Sequence, residues 1–192
     1  MACQTQSAGR VRVVEGLMAE TPVATPQGWR AAGLLQPGDL VLGAAHPPQP
    51  LLHSHPARLS GDQPEPFWPV HLPAGVLDNR TALLLLPQQP LLIDLCLAAD
   101  LYGDPCQMIP AAALVGWRGI LRRPMPDGQG VVRLIFAAPQ VIYASRGVLI
   151  ACPGVARADP RLSLAQAQHL IACAAAEDLG LALRCWSGQA AV

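Results

Sequence analysis

Short apolar runs cut at close intervals by glycine and proline leave this chain little choice but short β-strands. The 192 residues hold 17 glycines and 20 prolines. Proline fixes φ and glycine supplies positive φ, so pairs such as Pro26-Gln27-Gly28, Pro37-Gly38, Asp127-Gly128 and Arg146-Gly147 mark tight turns. The runs between them predict strands over Val11–Val14, Pro22–Thr25, Leu40–Leu42, Leu51–Leu59, Trp68–Leu72, Leu83–Leu86, Leu91–Asp94, Ala112–Leu114, Val131–Ala137, Val141–Ala144 and Val148–Ala151. The fold class expected is mainly β, a curled sandwich or barrel of short strands. Gly43–Pro50 and Gly61–Pro69 are too rich in proline for continuous ladders and are expected as loops.

After Pro153-Gly154 the pattern changes. Ser163 and Gln166 have capping-box spacing, and Ala167, Leu170, Ile171 and Ala174 recur at helical intervals. A C-terminal helix of about four turns, ending at Gly180, is expected to lay its Leu170/Ile171 face on the β domain. The organisation expected is an N-terminal segment over 1–12, a β domain over 13–154 and a helical appendage over 155–192.

Composition removes several functional classes. Hydrophobic residues make up 52% of the chain and charged residues 14%, which excludes global disorder. Thirteen basic residues balance thirteen acidic ones, so nothing marks a nucleic-acid or anionic-membrane partner. All the basic residues are arginine, which excludes Schiff-base chemistry and a phosphate-loop lysine. Met1–Gly16 lacks the apolar stretch of a signal peptide, and the most apolar windows, Thr81–Leu101 and Leu164–Leu183, are interrupted by polar and charged residues. A soluble protein, cytoplasmic by default, is the expectation. Cys3, Cys96, Cys106, Cys152, Cys173 and Cys185 show no C-x-x-C and no regular spacing, and are expected to be reduced, mostly buried small hydrophobes rather than a disulfide framework or a zinc site.

The most specific stretch is Thr21-Pro-Val-Ala-Thr-Pro-Gln-Gly-Trp-Arg30, followed by Leu35-Gln-Pro-Gly-Asp-Leu-Val-Leu42. It resembles the opening of the Hint (hedgehog/intein) domain, in the bacterial form often seen in alphaproteobacteria. Later stretches resemble the family in the same order: Leu83–Leu92 around Pro87-Gln88-Gln89, then Val131–Phe136, Val141–Tyr143 and Pro153-Gly154. The resemblance spans roughly Val13 to Gly154 and implies a Hint-like curled β fold. It also implies an acyl shift, in which a leading cysteine or serine attacks the preceding carbonyl while a histidine protonates the scissile amide.

The residues at the matched positions do not suit that chemistry. Aligning Thr21 with the family threonine puts Gly16 at the nucleophile position, where there is no side chain to attack with. Gln89 stands in place of the histidine and Leu86 in place of its serine or threonine; glutamine exchanges no proton near neutral pH. Arg133 and Pro139 occupy positions where histidines are common. The expectation is a degenerate, catalytically inactive Hint-type protein, a structural or protein-interaction module that needs no cofactor, with Gly16, Thr21, Gln89 and Arg133 as vestigial positions. One alternative is self-processing through an unusual nucleophile, Thr21 or Cys3. Another is a metal- or small-molecule-binding barrel that uses His53 and His55, which strand alternation puts on one face.

Three further groups are noted. Asp94, Asp100 and Asp104 with Tyr102 read as a polar loop rather than a carboxylate pair, and the four tryptophans as packing residues. Arg118, Arg122 and Arg123 read as a solvated basic tip, with an acidic partner as the alternative.

Overall fold

A computed structural model describes residues 13–44, 47–125, 127–155 and 161–186. Fourteen short strands appear among them: β1 (Leu17–Met18), β2 (Pro22–Thr25), β3 (Gly28–Ala31), β4 (Leu40–Val41), β5 (Gln49–Pro50), β6 (His53–Arg58), β7 (Val70–Leu72), β8 (Leu83–Leu85), β9 (Pro90–Asp94), β10 (Cys106–Pro110), β11 (Leu121–Arg122), β12 (Gly130–Ile135), β13 (Gln140–Ala144) and β14 (Val148–Cys152). Helix α1 (Cys96–Tyr102) lies between β9 and β10, and α2 (Leu164–Trp186) follows the last strand.

The strands form two six-stranded sheets, ordered β11-β7-β8-β1-β12-β6 and β10-β9-β14-β13-β2-β3, beside the small β4-β5 pair. Distant segments therefore sit side by side: β1 lies between β8 and β12, and β14 between β9 and β13. This mainly β architecture with a C-terminal helix is the one expected from the sequence.

Alternation along β1 and β12 explains how the first sheet is covered. Leu17 pairs with Val132 and both enter the main core, while Met18 pairs with Val131 and both enter a second cluster with Leu59 and Leu86. Leu72, Leu85, Leu91, Ile109, Leu134, Phe136 and Ile150 are all essentially inaccessible and fill the main core. Burying each such side chain stabilises the fold by about 1.5–3 kcal/mol before its entropy cost is subtracted. From α2, Ala167, Leu170, Ile171 and Ala174 join the same core, so the helix packs through the face its periodicity predicts.

The helix begins as its capping box requires. Ser163 N donates to Gln166 Oε1 at 3.1 Å, and Gln166 N donates to Ser163 Oγ at 3.3 Å. It does not end at Gly180 but runs to Trp186. A helix can absorb an internal glycine at a cost of about 1 kcal/mol where tertiary contacts hold the turn before it. One such contact is Asp178, whose carboxylate accepts from Arg118 Nε (2.8 Å), Arg118 Nη2 (2.7 Å) and Trp117 Nε1 (3.0 Å). The basic tip thus has an acidic partner within its own chain for Arg118, while Arg122 Nη1 donates to Pro66 O at 2.9 Å.

Several boundaries differ from expectation. Of the strand expected over Val11–Val14, Val13 and Val14 are not extended into a ladder, and the rest lies outside the described residues; pairing starts at Leu17, after the backbone turns at Gly16. Ala112–Leu114 is part of a buried 3-10 turn (Ala111–Leu114) under α2, because small alanines suit close helix packing better than a ladder. The strand expected from Leu51 starts at His53, and the one expected from Trp68 starts at Val70, beyond Pro69, which has no amide to donate. Within the two expected loops, Gln49–Pro50 pairs with Leu40–Val41 and Glu65–Phe67 forms a 3-10 turn. The polar loop holding Asp100 and Tyr102 is α1, closed by Gly103 at φ 80°; Asp104 does act as a turn former, accepting from Cys106 N at 2.8 Å. No helix among the described residues is long and apolar enough to cross a membrane.

Candidate functional site

The β8–β9 connection is a tight turn in which Gln89 N donates to Leu86 O at 3.0 Å. It is tied to the neighbouring chain by Gln88 N donating to Val14 O and Ala111 N donating to Gln89 O, each at 2.9 Å. These bonds point the Gln89 side chain inward, where the residue is only 2% exposed. Gly16 arrives from the other direction as the residue leading into β1, fixed by the pairing of Leu17 with both Leu85 and Val132.

The two meet. Gly16 N donates to Gln89 Oε1 at 3.0 Å across 73 residues of sequence. The Gln89 amide nitrogen donates to Ala151 O at 2.7 Å and to Pro90 O at 3.3 Å. The amide oxygen and both N–H donors thus engage three backbone groups, leaving only the second lone pair of Oε1. The amide nitrogen that Gln89 holds belongs to the peptide between Glu15 and Gly16.

Gly16 has φ of +141°, a conformation that L side chains rarely adopt. A Cβ added there would lie 2.9 Å from Val131 Cγ1 and 3.1 Å from Val132 O. Both contacts are fixed by β12, so backbone conformation and space together oppose a side chain at this position.

Charged groups rim this pair. The Glu15 carboxylate lies 3.6 Å from Arg161 Nη2 and 3.9 Å from Arg133 Nη2, and Arg161 Nη1 also donates to Gln88 O at 3.3 Å. Arg133 is half exposed, so its pairing with Glu15 adds little stability. Cys152, fully buried on β14 next to Ala151, has its thiol pushed up to about 12 by burial, with Glu15 adding to the rise and Arg133 opposing it. It is a protonated thiol at neutral pH and a poor nucleophile.

The other sequence-selected residues stand apart. Thr21 is buried, with its N–H on Met18 O and its carbonyl accepting from Ala32 N, in the connection between β1 and β2. His53 and His55 do share one exposed face of β6, with ring centroids 5.7 Å apart, and Arg133 stands directly across from His55. Among the described residues no three His, Cys, Asp or Glu side chains come together as metal ligands. A hollow of 510 Å3 beside β6 and β12 is lined by Ala19, Gly33, Pro56, Ala57, Arg58 and Gly130 to Val132, none of them an acid, a nucleophile or an imidazole.

Sequence reasoning singled out Gly16, Gln89 and Arg133 but not Glu15 or Arg161. Their pairing depends on chain ends that meet only in the folded state, and no local pattern carries it.

A family model described as the Hint domain matches residues 16–149, a span that opens on Gly16 and closes before α2. Among solved structures, the bacterial intein-like domain from Clostridium thermocellum aligns with 72% of this chain and 99% of its own, at a TM-score of 0.53 and 11% identity. The MchDnaB-1 intein aligns with 70% of this chain and 98% of its own (TM-score 0.43, 16% identity), and the gp41-1 intein with 72% and 97% (TM-score 0.45, 14% identity). No curated protein matches the sequence.

Proposed function

The chain belongs to the Hint domain family, and we propose that it is a member without autoprocessing activity, retained as a structural or protein-interaction module. The hydrogen bond from Gly16 N to Gln89 Oε1 is the observation that carries this reading. It brings the residues matched to the nucleophile and to the acid/base into one place, so their chemistry can be judged together.

An acyl shift from this place needs a side-chain nucleophile at residue 16 to attack the Glu15 carbonyl. It also needs a proton donor for the Gly16 nitrogen as that amide breaks. Gly16 supplies no nucleophile. Gln89 accepts a hydrogen bond from that nitrogen, where departure of the amine requires a donor. The nearby Cys152 thiol is held protonated, and Thr21 is buried in a different connection.

Mass spectrometry of the purified full chain, incubated with and without dithiothreitol or hydroxylamine, tests the proposal. The expected result is the full-length mass throughout. A fragment ending at Glu15, or at the residue before an alternative nucleophile (Glu20 for Thr21, Ala2 for Cys3), or a thiol or hydroxamate adduct at such an end, would overturn it.

A further inference from the structure

On the outward side of α2, His169 Nε2 lies 3.9 Å from Cys173 Sγ. The two residues are four apart in sequence, the spacing that stacks side chains on one helical face. With zinc–sulfur and zinc–nitrogen bonds of about 2.3 and 2.05 Å, a tetrahedral ion sets its sulfur and nitrogen ligands roughly 3.6 Å apart. The observed separation therefore needs only a few tenths of an ångström of rotamer adjustment to reach the bite of one ion.

We propose that His169 and Cys173 form a surface chelate for a thiophilic divalent metal ion, with zinc as the type case and solvent completing the coordination. Binding exchanges the Cys173 thiol proton, released to solvent, for a metal–thiolate bond, while His169 coordinates through a neutral ring nitrogen. The platform beneath is rigid. Ala167, Leu170, Ile171 and Ala174 bury the opposite face of the helix, and the Tyr102 hydroxyl donates to Gln166 O at 3.2 Å one turn away. Glu177 continues the same stripe one turn further on, which favours a cation there. The His53/His55 pair on β6 lacks this advantage, since Arg133 stands across from His55.

The test uses the full chain, reduced with a non-chelating phosphine and titrated with zinc against a chromophoric competitor. Cadmium is added in parallel to read the ultraviolet thiolate-to-metal charge-transfer band. About one ion per chain is expected. His169→Ala and Cys173→Ser should each weaken zinc binding at least about tenfold, because each turns a chelate into a single ligand. Cys173→Ser should lose the cadmium band although the other five cysteines remain. The double substitution His53→Ala/His55→Ala should leave both signals unchanged. Circular dichroism confirms that all variants keep their fold. Absence of binding, binding unchanged in both α2 variants, or binding lost in the β6 variant instead would overturn the proposal.

Discussion

Replacing Gly16 with alanine puts the strongest claim about this site to a quantitative test. The residue sits at φ +141°, where a side chain costs about 1–3 kcal/mol in backbone strain alone. The new methyl would also stand 2.9 Å from Val131 Cγ1 and 3.1 Å from Val132 O. Val131 is buried within the second apolar cluster, and the carbonyl belongs to a strand paired on both sides, so neither can retreat freely. Overpacking of this kind adds about 1–3 kcal/mol. The sum, about 2–6 kcal/mol, is a large part of the 5–15 kcal/mol that holds a typical domain together. Gly28 is the internal control: its φ is +110°, yet a Cβ there would meet nothing within 4 Å. Gly28→Ala should therefore show the backbone cost without the packing cost. Urea unfolding followed by circular dichroism, at constant slope, should place Gly16→Ala about 1–3 kcal/mol below Gly28→Ala. Equal stability of the two variants, or a Gly16→Ala protein within about 0.5 kcal/mol of the parent, would refute the reasoning. Gly16→Cys carries the same two costs, so a thiol can be restored at this position only in a weakened fold.

Gln89→Leu keeps the bulk of the side chain but strips an acceptor from Gly16 N and a donor from Ala151 O; at about 1–3 kcal/mol for each buried group left without a partner, urea unfolding should register a loss of about 2–6 kcal/mol. Asp178 is held below the ordinary carboxylate range first by its hydrogen bonds from Arg118. Its folded pKa is depressed, so its contribution is present above the unfolded value and is lost as pH falls from that value through the folded one. Thermal melts of the parent should fall more steeply than those of Asp178→Asn below about pH 4, and parallel curves would contradict the clamp. Cys152, buried and with its thiol near 12, should resist aromatic disulfide reagents in the folded protein and react only on unfolding; Cys96 and Cys106, exposed where burial was expected, should react in the folded state, Cys106 more slowly because desolvation and the Asp94 and Asp104 carboxylates push its thiol up; peptide mapping reads each site.

Strands were legible in the sequence where apolar alternation and turn chemistry agreed. Pro22–Thr25 lies between a glutamate and a proline-glycine turn, and its observed bounds are the expected ones. The hairpin Gln140–Ala144 and Val148–Cys152 closes at the expected place, around Ser145-Arg146-Gly147, but positive φ falls on Ser145 and Arg146 rather than on the glycine. Elements whose identity depends on tertiary neighbours were hidden. Gly28–Ala31 is largely exposed and has no apolar alternation, so it is a strand only because β2 supplies its ladder. Helix α1 spans seven residues with one fully buried side chain, too little to leave a periodic signature. Proximity of Gly16 and Gln89 could be expected only through the family resemblance, since nothing local connects residues 73 positions apart.

On the proposed reading, the residues at positions 16 and 89 reinforce one another. A histidine at position 89 has two ring nitrogens, whereas the glutamine there serves three backbone groups: Gly16 N, Ala151 O and Pro90 O. An imidazole there would supply a proton carrier and leave one of those groups without its partner. A side chain at position 16 would meet β12 while Gly16 N is still held by Gln89. Neither reversal restores an acyl shift by itself, because attack and amide protonation are both required, and each costs stability when made alone. The C-terminal segment adds a further restraint, since Arg161 reaches from the approach to α2 to both Gln88 O and the Glu15 carboxylate, the residues that precede positions 89 and 16. If the proposed reading holds, an acyl shift here would require that contact to loosen as well as changes at residues 16 and 89. Contacts from three directions hold this site in place, and they support the proposal that this Hint domain is kept for its surface rather than for its chemistry.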